Sequence, residues 1–449
     1  MTGQDAPGRG GPLIEVRGLR VDYGLGPDAV HAVIDADLTL VGGTVLGLAG
    51  ESGSGKSTLA YAMTRLLRAP GIITGGQVLL HGGAGPAGEE NAAAGEPTPL
   101  AGTVDLLAAD ERQLRGLRWS RIAVVMQSAM HALNPVVTIG AQLTDVLQAH
   151  KLKMDRTDRR GRAAFLLEMV GISADNLRRY PHQLSGGMRQ RVMIAMALAL
   201  EPAVVIMDEP TTALDVVTQR EILTELAELQ RDLSFAVLFI THDLSLLVEL
   251  ADSIAVMYAG RLLEQATAAD LYRAPRHPYT LGLLRSFPPL HGARKPLTGI
   301  QGSPPDLRTP PPGCPFHPRC GYAMDVCRTE MPAAFRPGPG GGRSAACWLH
   351  DGTHEVPSEL AVPELGSRSP GAVTGARTWA EAGTGTGTKA GTGTEAGTGT
   401  EAMAGTEAMA GAKPAAPPEP AGAAAARELA AAAQPGEAAA APDATGTRP

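Results

Sequence analysis

The sequence predicts an α/β domain built around a buried, largely parallel sheet, and three observations carry that expectation. Short continuous apolar runs at 45–49, 122–126, 204–207, 236–240 and 254–257 alternate with helical patterns between residues 13 and 265, as strands covered on both faces require. A glycine-rich loop follows the first run directly, and a pair of carboxylates closes the third. Both features belong at the C-terminal edge of such strands, where open α/β sheets meet their ligands.

The loop reads Gly50-Glu51-Ser52-Gly53-Ser54-Gly55-Lys56-Ser57-Thr58 and fits the spacing G-x4-G-K-[ST]. Leu59, Ala62, Met63, Leu66 and Leu67 then fall on one helical face. A strand, a glycine loop and a helix in that order form a phosphate cradle, because backbone N–H groups and the helix N-terminus both favour an anion. Lys56 is expected to reach the β- and γ-phosphates and Ser57 to give its hydroxyl to Mg²⁺. The run 204–207 ends in Asp208 and Glu209. On a parallel strand beside the loop, Asp208 would hold Mg²⁺, and Glu209 would polarise an attacking water. Ser185-Gly186-Gly187 opens a helix that is apolar on all sides over 192–200, and it reads as a further anion-binding helix start or as an ordinary N-cap.

Composition bounds what surrounds this core. The chain has 449 residues, with 55 Gly, 36 Pro and only 4% aromatics. Residues 351–449 hold 12 acidic and 6 basic groups in imperfect repeats such as AGTGTE and EAMAG, so most of the net charge of −7 belongs to this tail. A segment of that composition cannot bury enough apolar area to offset chain entropy, and it is expected to be disordered. The remaining 350 residues are almost neutral, which disfavours nucleic-acid binding. No apolar run is long enough to span a bilayer, and residues 1–12 read as a flexible leader without a signal-peptide core. Residues 82–102 read as a surface insertion. Lys151, Lys153, Arg156, Arg159, Arg160 and Arg162 form a basic stretch, read as a solvated face or a contact with lipid headgroups.

All four cysteines, Cys314, Cys320, Cys327 and Cys347, fall within one Pro-rich segment. A disulfide scaffold is excluded by so few cysteines in so long a chain. Their spacing is unlike the paired C-x2-C of a zinc ribbon. Four thiols in a module with little core point to a metal site that supplies folding energy. Zinc with His317 or His350 as extra ligands, and reduced structural thiols, stay open as alternatives.

Together, the phosphate loop, the Asp208-Glu209 strand and the segment LSGGMRQR at 184–191 resemble an ATP-binding cassette (ABC) nucleotide-binding domain over residues 13–350. The resemblance implies a P-loop NTPase (RecA-like) core at 13–265 with antiparallel β and helical subdomains, the latter at about 128–190. It further implies a Q-loop glutamine at Gln127, which contacts Mg²⁺ and the membrane partner. Asp215 falls in a D-loop at a dimer seam, His242 is a switch histidine at the γ-phosphate, and Tyr23 stacks on adenine. Gly50, Ser52, Gly53, Gly55, Lys56, Ser57 and Thr58 would bind nucleotide, with Ser185, Gly186 and Gly187 covering the ATP held by another subunit.

The segments 127–136, 257–260, HPYT at 277–280 and GCPFHPRC at 313–320 are similar to those of di- and oligopeptide importers, although Ser128 and Ala129 replace the usual Asp and Pro. Residues 266–350 then form that subfamily's C-terminal extension, whose four Cys imply a [4Fe–4S] cluster. The implied partners are a second ABC ATPase subunit (the same chain or a related one), two transmembrane permeases and an external binding protein. The chain would be peripheral on the cytoplasmic face of a cell membrane. Nickel and other small-solute importers share these features. A soluble ABC ATPase with a redox-sensing iron–sulfur module is the alternative from another class.

Overall fold

Pro12–Tyr23 (β1) and Val30–Val41 (β2) pair as a long antiparallel ladder in which Ala36, Leu38 and Leu40 point inward between exposed neighbours, the alternation of a sheet with one wet face. Val45–Ala49 (β3) is buried at every position and delivers the chain through the phosphate loop into Lys56–Met63 (α1). Gly71–His81 (β4) and Thr103–Asp105 (β5) complete a four-stranded antiparallel sheet of order β2-β1-β4-β5. Glu111–Leu117 (α2) starts at a capping box between Asp110 and Gln113 and leads to Ile122–Val125 (β6). The structure is a computed structural model that describes residues 11–82, 102–127, 132–150, 154–212, 214–286, 299–336 and 343–361.

Three helices come next: Ile139–Ala149 (α3), Arg156–Met169 (α4) and Gly186–Ala197 (α5). Thr138, Asp155 and Ser185 cap them by accepting backbone N–H groups of the first turn. Val204–Asp208 (β7), Val216–Leu233 (α6), Ala236–Ile240 (β8), Leu244–Leu250 (α7) and Ser253–Tyr258 (β9) continue the α/β alternation. Arg261–Thr267 (β10), Ala268–Arg273 (α8), Pro278–Arg285 (α9), Asp325–Thr329 (α10) and Ser344–Ala345 (β11) close the described chain.

The second sheet has the order β11-β10-β9-β3-β8-β7-β6, parallel from β9 to β6 and antiparallel at β10 and β11. Its strands send alternate residues to two cores. Val45, Val205, Met207, Val237 and Phe239 pack with the helical side, against Leu143, Leu166, Val192 and Leu247. Leu46, Leu48, Ile206, Leu238 and Ile240 pack on the other face with α1 and the antiparallel sheet. Every apolar run singled out above is a strand of this sheet, with ends that differ by at most one residue.

β7 is parallel to β3, with β8 hydrogen-bonded between them, and its end still reaches Ser57 of the loop. Two expectations are corrected. The apolar run 192–200 is helical only to Ala197: Leu198 caps α5, and Glu201 turns the chain at φ 51. The extension also runs past 350, since Leu360 is fully buried beside Cys347 and Leu349, and its carbonyl accepts from Arg276 at 2.8 Å.

The extension is joined to the cassette by a ladder: Glu264 and Gln265 of β10 pair with Ala345 and Ser344 of β11. The expectations for residues 1–10, 83–101, Ser128, Ala129, Lys151, Lys153 and 362–449 lie outside the described residues. Leu360→Ala removes a fully enclosed side chain and is expected to cost about 2–5 kcal/mol, read as a lower urea midpoint of the full chain.

Candidate functional site

The phosphate loop is shaped by what surrounds it as much as by its own sequence. Gly50 and Gly55 hold φ of 152 and 103. A Cβ there would stand 2.2 Å from the Met257 carbonyl oxygen and 2.1 Å from that of Ala32, so only glycine fits between β9 and β2. Gly53 also has a positive φ, at 77. The Lys56 ammonium is buried and donates to the carbonyl oxygens of Gly50 and Glu51, both at 2.9 Å. Burial lowers its pKa, and the nearby carboxylates Glu209, Asp208 and Glu51 oppose that shift. Ser52 is exposed at the loop's tip. Tyr23, at the end of β1, lies with its hydroxyl 3.2 Å from that of Thr58 and so flanks the start of α1.

Asp208 has no exposed surface. Its two oxygens accept from Ser57 Oγ and Tyr61 Oη, each at 2.9 Å. Ser57 and Tyr61 are four residues apart on α1 and so share a face. Desolvation raises the Asp208 pKa, and the bonds from Ser57 and Tyr61 hold it down. Ser57 and Asp208 thus supply two adjacent oxygens of the kind Mg²⁺ takes.

Glu209 adopts φ 45, a left-handed conformation that a non-glycine residue rarely holds. This turn directs its carboxylate at three side chains. Gln127 Nε2 donates to Oε2 at 3.0 Å, Thr212 Oγ1 donates to the same oxygen at 3.2 Å, and His242 Nδ1 lies 3.1 Å from Oε1. Gln127 is therefore placed on Glu209 rather than on Ser57 or Asp208.

The signature and D-loop residues are brought near each other through two helices. Ser185 caps α5 by accepting the N–H of Met188 at 3.2 Å, and Asp215 caps α6 by accepting those of Val217 and Thr218. Gly186 is half-buried. Gly187 is needed for packing, since a Cβ would stand 2.5 Å from Thr218 Cγ2 on α6. Val216 and Val217 beside Asp215 are 73% and 68% exposed, an apolar pair open to solvent. Arg156, Arg159 and Arg160 line a groove of the helical layer together with Arg178.

Sequence reasoning missed Tyr61, Thr212, Glu51, Tyr279 and Arg319. The i, i+4 spacing of Ser57 and Tyr61 was a usable signal, as was HPYT, whose chemistry becomes plain in the fold. His277 Nδ1 caps α9 by accepting the N–H of Tyr279, and the buried Glu264 carboxylate accepts the N–H groups of Arg276 and His277. Tyr279 Oη in turn accepts the N–H of Glu51 in the phosphate loop at 2.9 Å. Burial drives the His277 pKa down to about 3, so its ring stays neutral.

Cys314, Cys320, Cys327 and Cys347 are free thiols that line one cavity together with His277 and His317. Burial pushes Cys314 and Cys320 up to about 11 and Cys347 to about 12. His277 Nε2 is buried without a partner among the described residues. His350 is engaged elsewhere, 2.7 Å from the Arg276 carbonyl oxygen, which counts against it as a zinc ligand. Among the described residues, no group of three or more His, Cys, Asp or Glu side chains is placed to hold a metal ion.

Residues 33–212 match the ABC transporter family, and residues 263–327 match the oligopeptide/dipeptide transporter C-terminal region. The oligopeptide transport ATP-binding protein OppD of Salmonella typhimurium is 40% identical over 77% of this chain and 96% of its own length. The dipeptide transport ATP-binding protein DppD of Caldanaerobacter subterraneus is 38% identical over 76% of this chain and 97% of its own length. A solved dimeric ATP-binding cassette bound to ADP and phosphate aligns at 25% identity and TM-score 0.47, over 57% of this chain and 98% of that one.

Tyr61→Phe removes one of the two bonds that hold the Asp208 pKa down. The acid limb of the ATP hydrolysis profile is expected to move to higher pH while the alkaline side stays in place. An unshifted profile would remove Tyr61 from the site.

Proposed function

Because the chain belongs to the oligopeptide/dipeptide family of ABC transporter ATP-binding proteins, we propose that it hydrolyses ATP to power uptake of di- and oligopeptides through partner permeases. The observation that carries the chemistry is the gathering of Gln127, Thr212 and His242 on the Glu209 carboxylate, one residue from the Asp208–Ser57 pair.

In this reading Lys56 and the loop from Gly50 to Thr58, including Ser52, Gly53 and Gly55, bind the phosphates, and Tyr23 packs on the adenine. Mg²⁺, held by Ser57 and Asp208 with Gln127 nearby, supplies charge neutralisation at the phosphates. Glu209 orients the attacking water and takes its proton. His242 leaves Glu209 for the γ-phosphate once nucleotide is present.

Ser185, Gly186 and Gly187 of a second cassette close over the ATP, with Asp215 at the seam, so hydrolysis requires a dimer. The exposed Val216 and Val217 beside Asp215 support a seam there. Among the described residues no helix is long and apolar enough to cross a membrane. Work on a solute therefore needs the two permeases, bound through the helical layer of α3 to α5 on the cytoplasmic face, and an external binding protein. With the complex in vesicles, peptide-loaded binding protein is expected to support uptake. Glu209→Gln should abolish turnover and accumulate an ATP-bound dimer, whereas Lys56→Ala should lose nucleotide binding itself. Unchanged turnover in Glu209→Gln would remove it as the base, and nickel uptake without peptide uptake would replace the cargo.

The four cysteines are read as the ligands of a [4Fe–4S] cluster. Their shared cavity and all-sulfur chemistry support this reading. The cluster would tie Cys314, Cys320, Cys327 and Cys347 together in a segment with little apolar core of its own. Protein purified without oxygen should contain iron and acid-labile sulfide, and Cys320→Ser should lose both. Zinc in place of iron would overturn the reading.

A further inference from the structure

One residue of the phosphate loop, Glu51, has both its carboxylate and its N–H held from outside the loop. The Glu51 carboxylate receives a two-pronged ion pair from Arg319, with Nη1 to Oε2 at 2.8 Å and Nη2 to Oε1 at 3.1 Å. The Glu51 N–H donates to Tyr279 Oη, and its carbonyl accepts the Lys56 ammonium. Arg319 and Tyr279 both belong to the extension, far along the chain. Arg319 is itself fixed: Nε donates to the Gln301 carbonyl at 2.8 Å, Nη1 to Tyr258 Oη at 3.2 Å and Nη2 to the Ile300 carbonyl at 3.4 Å. Its side chain is only 6% exposed.

The same Arg319 sits next to Cys320 and lies over the ring of Phe316, which is two residues from Cys314. Phe316 packs on Tyr258 and Tyr279, with ring centres 5.4 and 5.3 Å away. Between two cavity-lining cysteines, then, one residue grips the loop, and another packs on Tyr279, which holds the loop, and on Tyr258, which holds Arg319. A planar fork in a fixed setting transmits position more rigidly than a flexible ammonium could.

We propose that Arg319 is a positioning residue for the phosphate loop, through which the four-cysteine module sets the protein's affinity for ATP. The idea rests on the loop being the ATP site. The module does not touch the nucleotide; it acts by keeping the Glu51 backbone in the one conformation that presents Lys56. Coupling of this kind is reciprocal, so bound nucleotide must also steady the module.

The test uses the full chain as purified, with ATP affinity measured by calorimetry. Arg319→Ala and Glu51→Gln are each expected to weaken ATP binding about 10-fold, within the usual span of coupled sites. The double variant should be no weaker than either single one, with kcat at saturating ATP little changed in Arg319→Ala. Arg319→Lys should recover only part of the affinity. ATP should slow amide hydrogen exchange over residues 313–320 in the parent protein and lose that effect in Arg319→Ala. Full ATP affinity in both single variants, or losses that simply add, would overturn the proposal. Should Arg319→Ala fail to fold, Glu51→Gln still decides, because it leaves the cysteine module's sequence intact. Lys56→Ala separates the two ideas: unaltered affinity there would sink the nucleotide site itself, whatever Arg319 does.

Discussion

A carboxylate with no exposed surface at the end of β7 is the constraint on which the site's architecture depends. Leaving Asp208 buried and unpaired would cost several kcal/mol, so two hydroxyls from α1 must reach it. α1 begins where the phosphate loop ends. Satisfying Asp208 therefore fixes the helix, the helix fixes the end of the loop, and the loop's glycines must then pass under the Met257 and Ala32 carbonyls. β8 stands between β3 and β7, so the Asp208 bonds bridge a whole strand. Because that strand ends at Ile240, His242 lies just beyond it and can reach Glu209.

The second tie runs from the far side. β10 and β11 continue the central sheet into the extension, and from that edge Tyr279 and Arg319 return to the loop. The buried Glu264 joins these parts, since its strand pairs with β11 while its carboxylate receives the backbone of Arg276 and His277. An apolar side chain at 264 could not satisfy those two N–H groups, and their burial would then be costly. The cassette and the extension thus share hydrogen bonds at every level from ladder to side chain.

Much of the core was legible because the information is local. Each parallel strand is a short apolar run with a turn signal after it, and the loop spacing carries its own chemistry. Lys56, Ser57 and Asp208 gather around the phosphate loop, while Gln127 and His242, which only the resemblance pointed to, meet on Glu209. Strand order was not legible, because parallel pairing over long crossovers leaves no trace in the sequence of either strand, and β8 was therefore not seen between β3 and β7. Arg319 and Glu51 were invisible for the same reason: 268 residues separate them, and each alone looks like an ordinary charge. The extension was drawn too short because one buried Leu360 in a polar stretch gives no periodic signal. Gly187 shows a subtler limit: glycine at a helix start reads as an anion contact, whereas contact with Thr218 already demands it.

The pairing of β10 with β11 has a consequence for how the molecule is made. Glu264 meets Ala345, so the outer edge of the central sheet waits for about 80 residues of further synthesis before it is covered. At ordinary translation rates that interval is roughly 4–16 s. During it, a nascent cassette displays an open strand beside a phosphate loop that lacks Arg319. An uncovered strand edge is the usual seed of wrong pairing between chains. The short two-residue strand at Ser344–Ala345 is thus a late closure, and a ribosome stalled within the extension would release a chain with its central edge still exposed.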